Sequence, residues 1–188
     1  MNRKKNNLSN SNLTELIITA LFTAILAVSA QIIIPNAVPF TLQSLGVFLA
    51  SAILGWKKGV LSVVVYIMVG AIGLPVFSGF QGGLGVLLGV TGGYIWGFIP
   101  TAFIVGIMCE KLGRKKLVLI MSMVIGLIMC YILGTVWYSV YTSTGFMSAL
   151  AICVVPFIIA DIIKIAVAVM IVSKLEKVAP KVILKSSK

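Results

Sequence analysis

The stretch Ala160-Asp161-Ile162-Ile163-Lys164-Ile165 sets an acid and a base three residues apart inside an apolar run covering 146–172. A run of that length is able to cross a bilayer, which takes about 20 residues of helix. A spacing of three puts both side chains on one side of the helix. A charge at membrane depth costs roughly 2.5–3.5 kcal/mol even on insertion scales, so such groups turn away from lipid. The couple is either an ion or substrate site or a structural pair in which each charge neutralises the other.

Composition places the whole chain in the membrane. Of 188 residues 60% are hydrophobic and only 10% are charged, with a mean hydropathy of +1.16; a soluble domain carries about 25% charged residues. The net charge of +11 does not indicate nucleic acid, because Lys and Arg sit in short clusters between apolar runs, where cytoplasmic loop charges belong. Cys109, Cys130 and Cys153 are odd in number and widely spaced, without metal or disulfide spacing, and are read as packing residues. The N-terminus carries no cleavage pattern, so the first apolar run is expected to be retained.

Working outward from 146–172, the apolar runs are 14–34, 42–55, 60–74, 94–109, 117–140 and 148–173. With the N-terminus inside, the inner segments hold Arg3, Lys4 and Lys5, then Lys57 and Lys58, then Lys111, Arg114, Lys115 and Lys116, and finally Lys174, Lys177, Lys181, Lys185 and Lys188. Those are fourteen of the fifteen basic residues; the outer segments hold none, and the exception is Lys164. Positive charge on one side at every loop is the positive-inside rule. The fold expected is an all-α integral membrane protein of six transmembrane helices with both termini cytoplasmic. One substrate-binding domain (14–173) lies between a disordered basic tail (1–13) and a second basic tail (174–188).

Three outer loops lack charge: 35–41, with two prolines; 75–93, rich in glycine; and 141–147. Irregular backbone at membrane depth persists where it is buried in protein or lines a cavity. Loops 35–41 and 75–93 are therefore expected to cap an outward-facing ligand pocket beside Asp161, which lies just past a bend at Pro156. Gln43, Gln81, Thr91 and Tyr94 are the polar residues near that mouth, though each could equally serve as an interhelical hydrogen bond. Gln81-Gly82-Gly83 would let backbone approach a ligand, whereas Gly85, Gly89, Gly93 and Gly97 recur every fourth residue as a packing face. The proline loop would act as the lid, its prolines limiting the freedom lost on closing.

Much chemistry is excluded. Without histidine there is no HExxH zinc site and no Ser/His couple. Glu15, Glu110 and Glu176 fall at inner helix ends, so Asp161 has no second carboxylate with which to form a dyad. No GxxxxGK[ST] is present, and the Gly-rich stretch has no βαβ context. The expectation is a protein that binds and does not catalyse, with no metal or cofactor and with membrane lipid as its surroundings.

VPFTLQ (38–43) followed by Gly46, GAIGLPVFSG (70–79), GGLGVLLGVTGGY (82–94), YILGTVW (131–137) and the PF–AD–IK pattern at 156–164 resemble the biotin-specific membrane subunits of energy-coupling-factor transporters. The likeness runs from about residue 14 to 173. It implies a substrate-capture subunit of a bacterial cytoplasmic membrane that binds biotin from outside. Such a subunit pairs with a transmembrane coupling subunit and two cytoplasmic ATPases. It also implies that Ala20 and Ala24, at the family's Ala-xxx-Ala spacing, contact the coupling subunit. Asp161, Lys164 and Gln43 match the family's acid, lysine and glutamine. Gln81 stands where some members have Asn, and Ile95 where some place an Arg near the ligand.

On this reading Asp161 accepts from the ureido N–H groups of biotin and the Gln81 amide completes the ring's hydrogen bonds. Lys164 then supplies charge to the ligand carboxylate or holds Asp161 ionised, and the two roles could be exchanged. Thr41, Gly82, Gly83 and Tyr94 complete the expected substrate-binding set. The alternatives are a stand-alone carrier coupled to protons through Asp161, or capture of a different vitamin.

Overall fold

The computed structural model describes residues 2–34 and 40–178, with side chains from residue 13 onward. Helix α1 spans Asn2–Gln31, strands β1 (Ile33–Ile34) and β2 (Phe40–Thr41) follow, and α2 covers Gln43–Ala71. A short α3 (Leu84–Leu88) precedes α4 (Gly92–Leu112) and α5 (Lys116–Thr142). The chain ends in α6 (Phe146–Cys153), a 3₁₀ turn (Val155–Phe157) and α7 (Ile158–Val178).

Five helical stretches are long and apolar enough to cross a membrane, and the second of them, α2, is folded in two. Gly55 has φ +80° and ψ −179°, a conformation open almost only to glycine. It reverses the chain, so that Ser51 lies against Gly59 and Gln43 reaches Tyr66. In a straight helix residues 43 and 66 would stand about 34 Å apart at 1.5 Å per residue. Six helical segments result, as the hydropathy pattern predicts. The reversal comes at Gly55 and not at Trp56-Lys57-Lys58-Gly59, which begin the next helix, because only the positive φ makes the turn.

Helix α1 includes residues 2–13, and no Pro or Gly interrupts its sequence. The proline loop is partly ordered, since Ile33 and Ile34 pair antiparallel with Thr41 and Phe40 in a two-strand ribbon. Residues 35–39 of the loop 35–41 expected as the lid, and 179–188 of the basic tail, lie outside the described residues. The last span is broken at the bend expected at Pro156. Pro156 lacks the N–H a helix needs and starts a 3₁₀ turn instead, which sets Asp161 in the first turn of α7.

Close helix packing rests on small residues, as it does in membranes generally. Gly93 and Gly97 of α4 lie against Trp137 and Cys130 of α5, while Gly126 and Gly134 of α5 receive Thr101 and Tyr94. The expected four-residue glycine ladder therefore splits. Gly93 and Gly97 pack helices, but Gly89 ends α3 and Gly85 faces open space. One core, around Phe48, Val105, Met123 and Val169, fills the end near the Gly55 turn. A second, around Val63, Tyr66, Phe77 and Phe98, leads to a cavity at the opposite end.

Candidate ligand-binding site

The cavity has a volume of about 230 Å³, against the ~10–15 Å³ by the same measure that holds a single water. It is lined from β2 and the start of α2, from the loop 77–81, from the start of α4, from mid-α5 and from the region around the 3₁₀ turn and α7. Discontinuous helices thus aim their ends at one space.

Asp161 and Lys164 form its charged floor. The break before α7 exposes a helix N-terminus, whose partial positive charge favours an acid in the first turn. Lys164, one turn on, lies with Nζ 2.8 Å from Asp161 Oδ1, and the two residues are 4% and 5% exposed. Ser44 bridges them: Lys164 Nζ donates to its Oγ at 3.1 Å, and that hydroxyl donates to Asp161 Oδ1 at 3.4 Å. The Tyr131 hydroxyl donates to Asp161 Oδ2. The Lys164 ammonium also sits 3.9 Å from the centroid of the Phe40 ring, which stacks on Phe157 at 6.0 Å. Such a cation–π contact contributes up to about 2 kcal/mol when desolvated.

Other polar residues hold the walls in place. Gln43 Oε1 accepts from Thr41 Oγ1 at 2.9 Å, and its Nε2 donates to the Tyr66 hydroxyl, which in turn donates to the Val76 carbonyl at 3.0 Å. Gln31 Nε2 donates to the Phe77 carbonyl while its Oε1 accepts from Phe80 N–H, fastening the loop to α1. Ser78 lines the cavity with a buried Oγ that has no hydrogen-bond partner among the described residues.

Of the residues singled out in the sequence, Asp161, Lys164, Gln43, Gln81, Thr41, Thr91, Tyr94 and Ile95 all line this cavity. Gly82 and Gly83 do not. A side chain at Gly82 would strike the Leu74 carbonyl, and Gly83, at φ +93°, donates its N–H to the Gly70 carbonyl at 2.7 Å. Their backbone contacts shape the loop. Ala20 and Ala24 lie on an exposed face of α1 among Leu16, Ile17, Leu21 and Val28. Sequence reasoning missed Ser44, Tyr131 and Phe40. Ser44 adjoins Gln43 and was within reach, but Tyr131 is thirty residues from its partner and no spacing rule connects them.

Apolar helices that bury an ion pair beside an internal cavity define a membrane protein with a pocket for a small molecule. The chain belongs to the BioY family: the model of that family matches residues 1–181. It is 44% identical over 164 residues to the biotin transporter BioY of Thermotoga maritima, covering 87% of this chain and 96% of that protein. It is 43% identical to the probable biotin transporter BioY of Pyrococcus horikoshii, covering 86% and 96% respectively. Among solved structures, the S-component for biotin from an ECF-type ABC transporter superposes with a TM-score of 0.83 at 32% identity, over 89% of this chain and 93% of that one. These relatives are transport proteins, not enzymes.

Proposed function

We propose that this chain is a substrate-capture subunit that binds biotin in the cavity above Asp161 and Lys164 and hands it to partner subunits for ATP-driven import. The observation that carries the reading is a buried ion pair lining a space of about 230 Å³, its carboxylate with acceptor capacity to spare. Biotin presents a ureido ring with two N–H donors and one C=O acceptor, a thioether ring, and an aliphatic chain ending in carboxylate. Asp161 accepts from a ureido N–H, Gln81 and Ser78 supply donors for the ureido carbonyl, and Phe40, Phe77 and Phe157 cover the apolar parts. The positive-inside pattern supports a cavity opening to the outside with both termini cytoplasmic. The exposed Ala20/Ala24 face of α1 suits close approach of a coupling subunit's helix, with ATP hydrolysis by two partner ATPases.

Asp161→Asn keeps the shape but removes the charge, and a charge-assisted bond is about twice as strong as a neutral one. Equilibrium binding of radiolabelled biotin to purified protein should weaken at least about tenfold. Unchanged affinity in a folded Asp161→Asn protein would refute the assignment. Uptake by vesicles lacking any ATPase partner would indicate instead a self-sufficient carrier.

A further inference from the structure

Both members of the ion pair line the cavity, but they differ in what they have left to offer a guest. Lys164 has three N–H groups and no acceptor. It reaches Asp161 Oδ1 at 2.8 Å and Ser44 Oγ at 3.1 Å, and the ammonium rests over the Phe40 ring at 3.9 Å. The Asp161 carboxylate offers about four lone-pair positions, of which Lys164, Ser44 and Tyr131 occupy three. An acceptor position is left for a guest's N–H, while the cation is spent within the protein.

No second cation makes up the difference. Among the described residues lining the cavity, Asp161 and Lys164 are the only ones of the Asp, Glu, Lys or Arg type, and 35–39 (Pro-Asn-Ala-Val-Pro) carries no charge. Ile95, buried at 5% exposure, contributes apolar wall. An anion brought to the floor would be stripped of water beside Asp161 with nothing to neutralise it, which is the costly case for a buried charge. At the rim, Gly79 and Gln81 are exposed, and a carboxylate there keeps its hydration.

We infer that the ureido ring lies on the floor and the ligand carboxylate at the mouth, unread by Lys164, so that this chain also captures biotin derivatives whose carboxylate is blocked as a neutral amide. The inference rests on the proposed capture of biotin and extends the substrate class to amide-linked conjugates.

Competition against radiolabelled biotin on the purified full chain tests it, with unlabelled biotin, biotinamide and a biotin analogue methylated on both ureido nitrogens as competitors. Biotinamide should displace the label within about tenfold of the concentration biotin needs, because no contact is lost. The methylated analogue should need about a hundredfold more, because it leaves Asp161 facing a methyl group. A requirement for more than about a hundredfold excess of biotinamide would overturn the inference while leaving biotin capture intact. Failure of labelled biotin itself to bind would overturn both. In Lys164→Met, the ratio of acid to amide affinity should stay as in the unaltered chain; loss falling on the acid alone would show that Lys164 reads the carboxylate. Should that variant not fold, the ratio measured on the unaltered chain decides.

Discussion

The chain makes two acid–lysine contacts of nearly equal length in opposite surroundings. Lys164–Asp161 spans 2.8 Å with both side chains 6% exposed; Lys58–Glu15 spans 3.0 Å with side chains 15% and 45% exposed. An exposed pair is screened and contributes about 0–1 kcal/mol. A buried pair must recover several kcal/mol of lost hydration per ion, which takes both good geometry and partners for the remaining lone pairs. Ser44 and Tyr131 supply those partners. The costly pair stands where the cavity is, and the inexpensive one where the first two helices are laced together at the other end of the bundle. Distance alone does not distinguish them; satisfaction and burial do.

The largest effect should come from unpairing the floor. Lys164→Met leaves Asp161 buried opposite an apolar side chain and should destabilise the fold by about 3–5 kcal/mol, read as a fall in the detergent unfolding midpoint. Adding Asp161→Asn should restore part of that loss, since the uncompensated charge is then gone; the non-additivity of the cycle measures the coupling. Additive single effects would mean the two side chains do not act as a pair.

A middle case lies at the far end, where a buried charge is held by neutral groups. Arg114 is 6% exposed and donates Nε to the Ala52 carbonyl at 2.7 Å and a guanidinium N–H to the Ile53 carbonyl at 3.3 Å. These are among the last carbonyls before the Gly55 reversal, where a helix end lacks its own donors and a cation suits the dipole. Hydrogen bonds to a charged group contribute about 1.5–3 kcal/mol, so Arg114→Met should cost about 2 kcal/mol in the same assay. Biotin affinity should stay unchanged, because the cavity is at the opposite end. A change in affinity with unaltered stability would mean the two ends communicate.

How much of this was legible beforehand follows from the kind of interaction. The six spans could be read because hydropathy acts locally along the chain. Asp161 and Lys164 stood out because intramembrane charges are rare. Tyr131 and Phe40 did not, because a tyrosine or phenylalanine in an apolar run looks the same whether it packs or contacts a charge; only the fold brings α5 and β2 to α7. Gly82 and Gly83 carry a related ambiguity. Glycine marks close approach of backbone, but the sequence does not tell whether the thing approached is a ligand or the carbonyls of Leu74 and Gly70.

The smallest effect belongs to the exposed pair and sharpens the contrast most cheaply. Glu15→Gln keeps the length of the side chain and removes only its charge, at a side chain 45% exposed. The expected loss is below about 1 kcal/mol. It should shrink further as salt is raised from 0.01 M to 1 M, where the screening length falls from about 30 Å to about 3 Å. The corresponding cost of Lys164→Met should be nearly independent of salt, because counterions do not follow a pair into a site 4–5% exposed. Equal salt dependence of the two variants would place the floor of the cavity in contact with bulk water, and with that the reason for Ser44 and Tyr131 to enclose Asp161 would disappear.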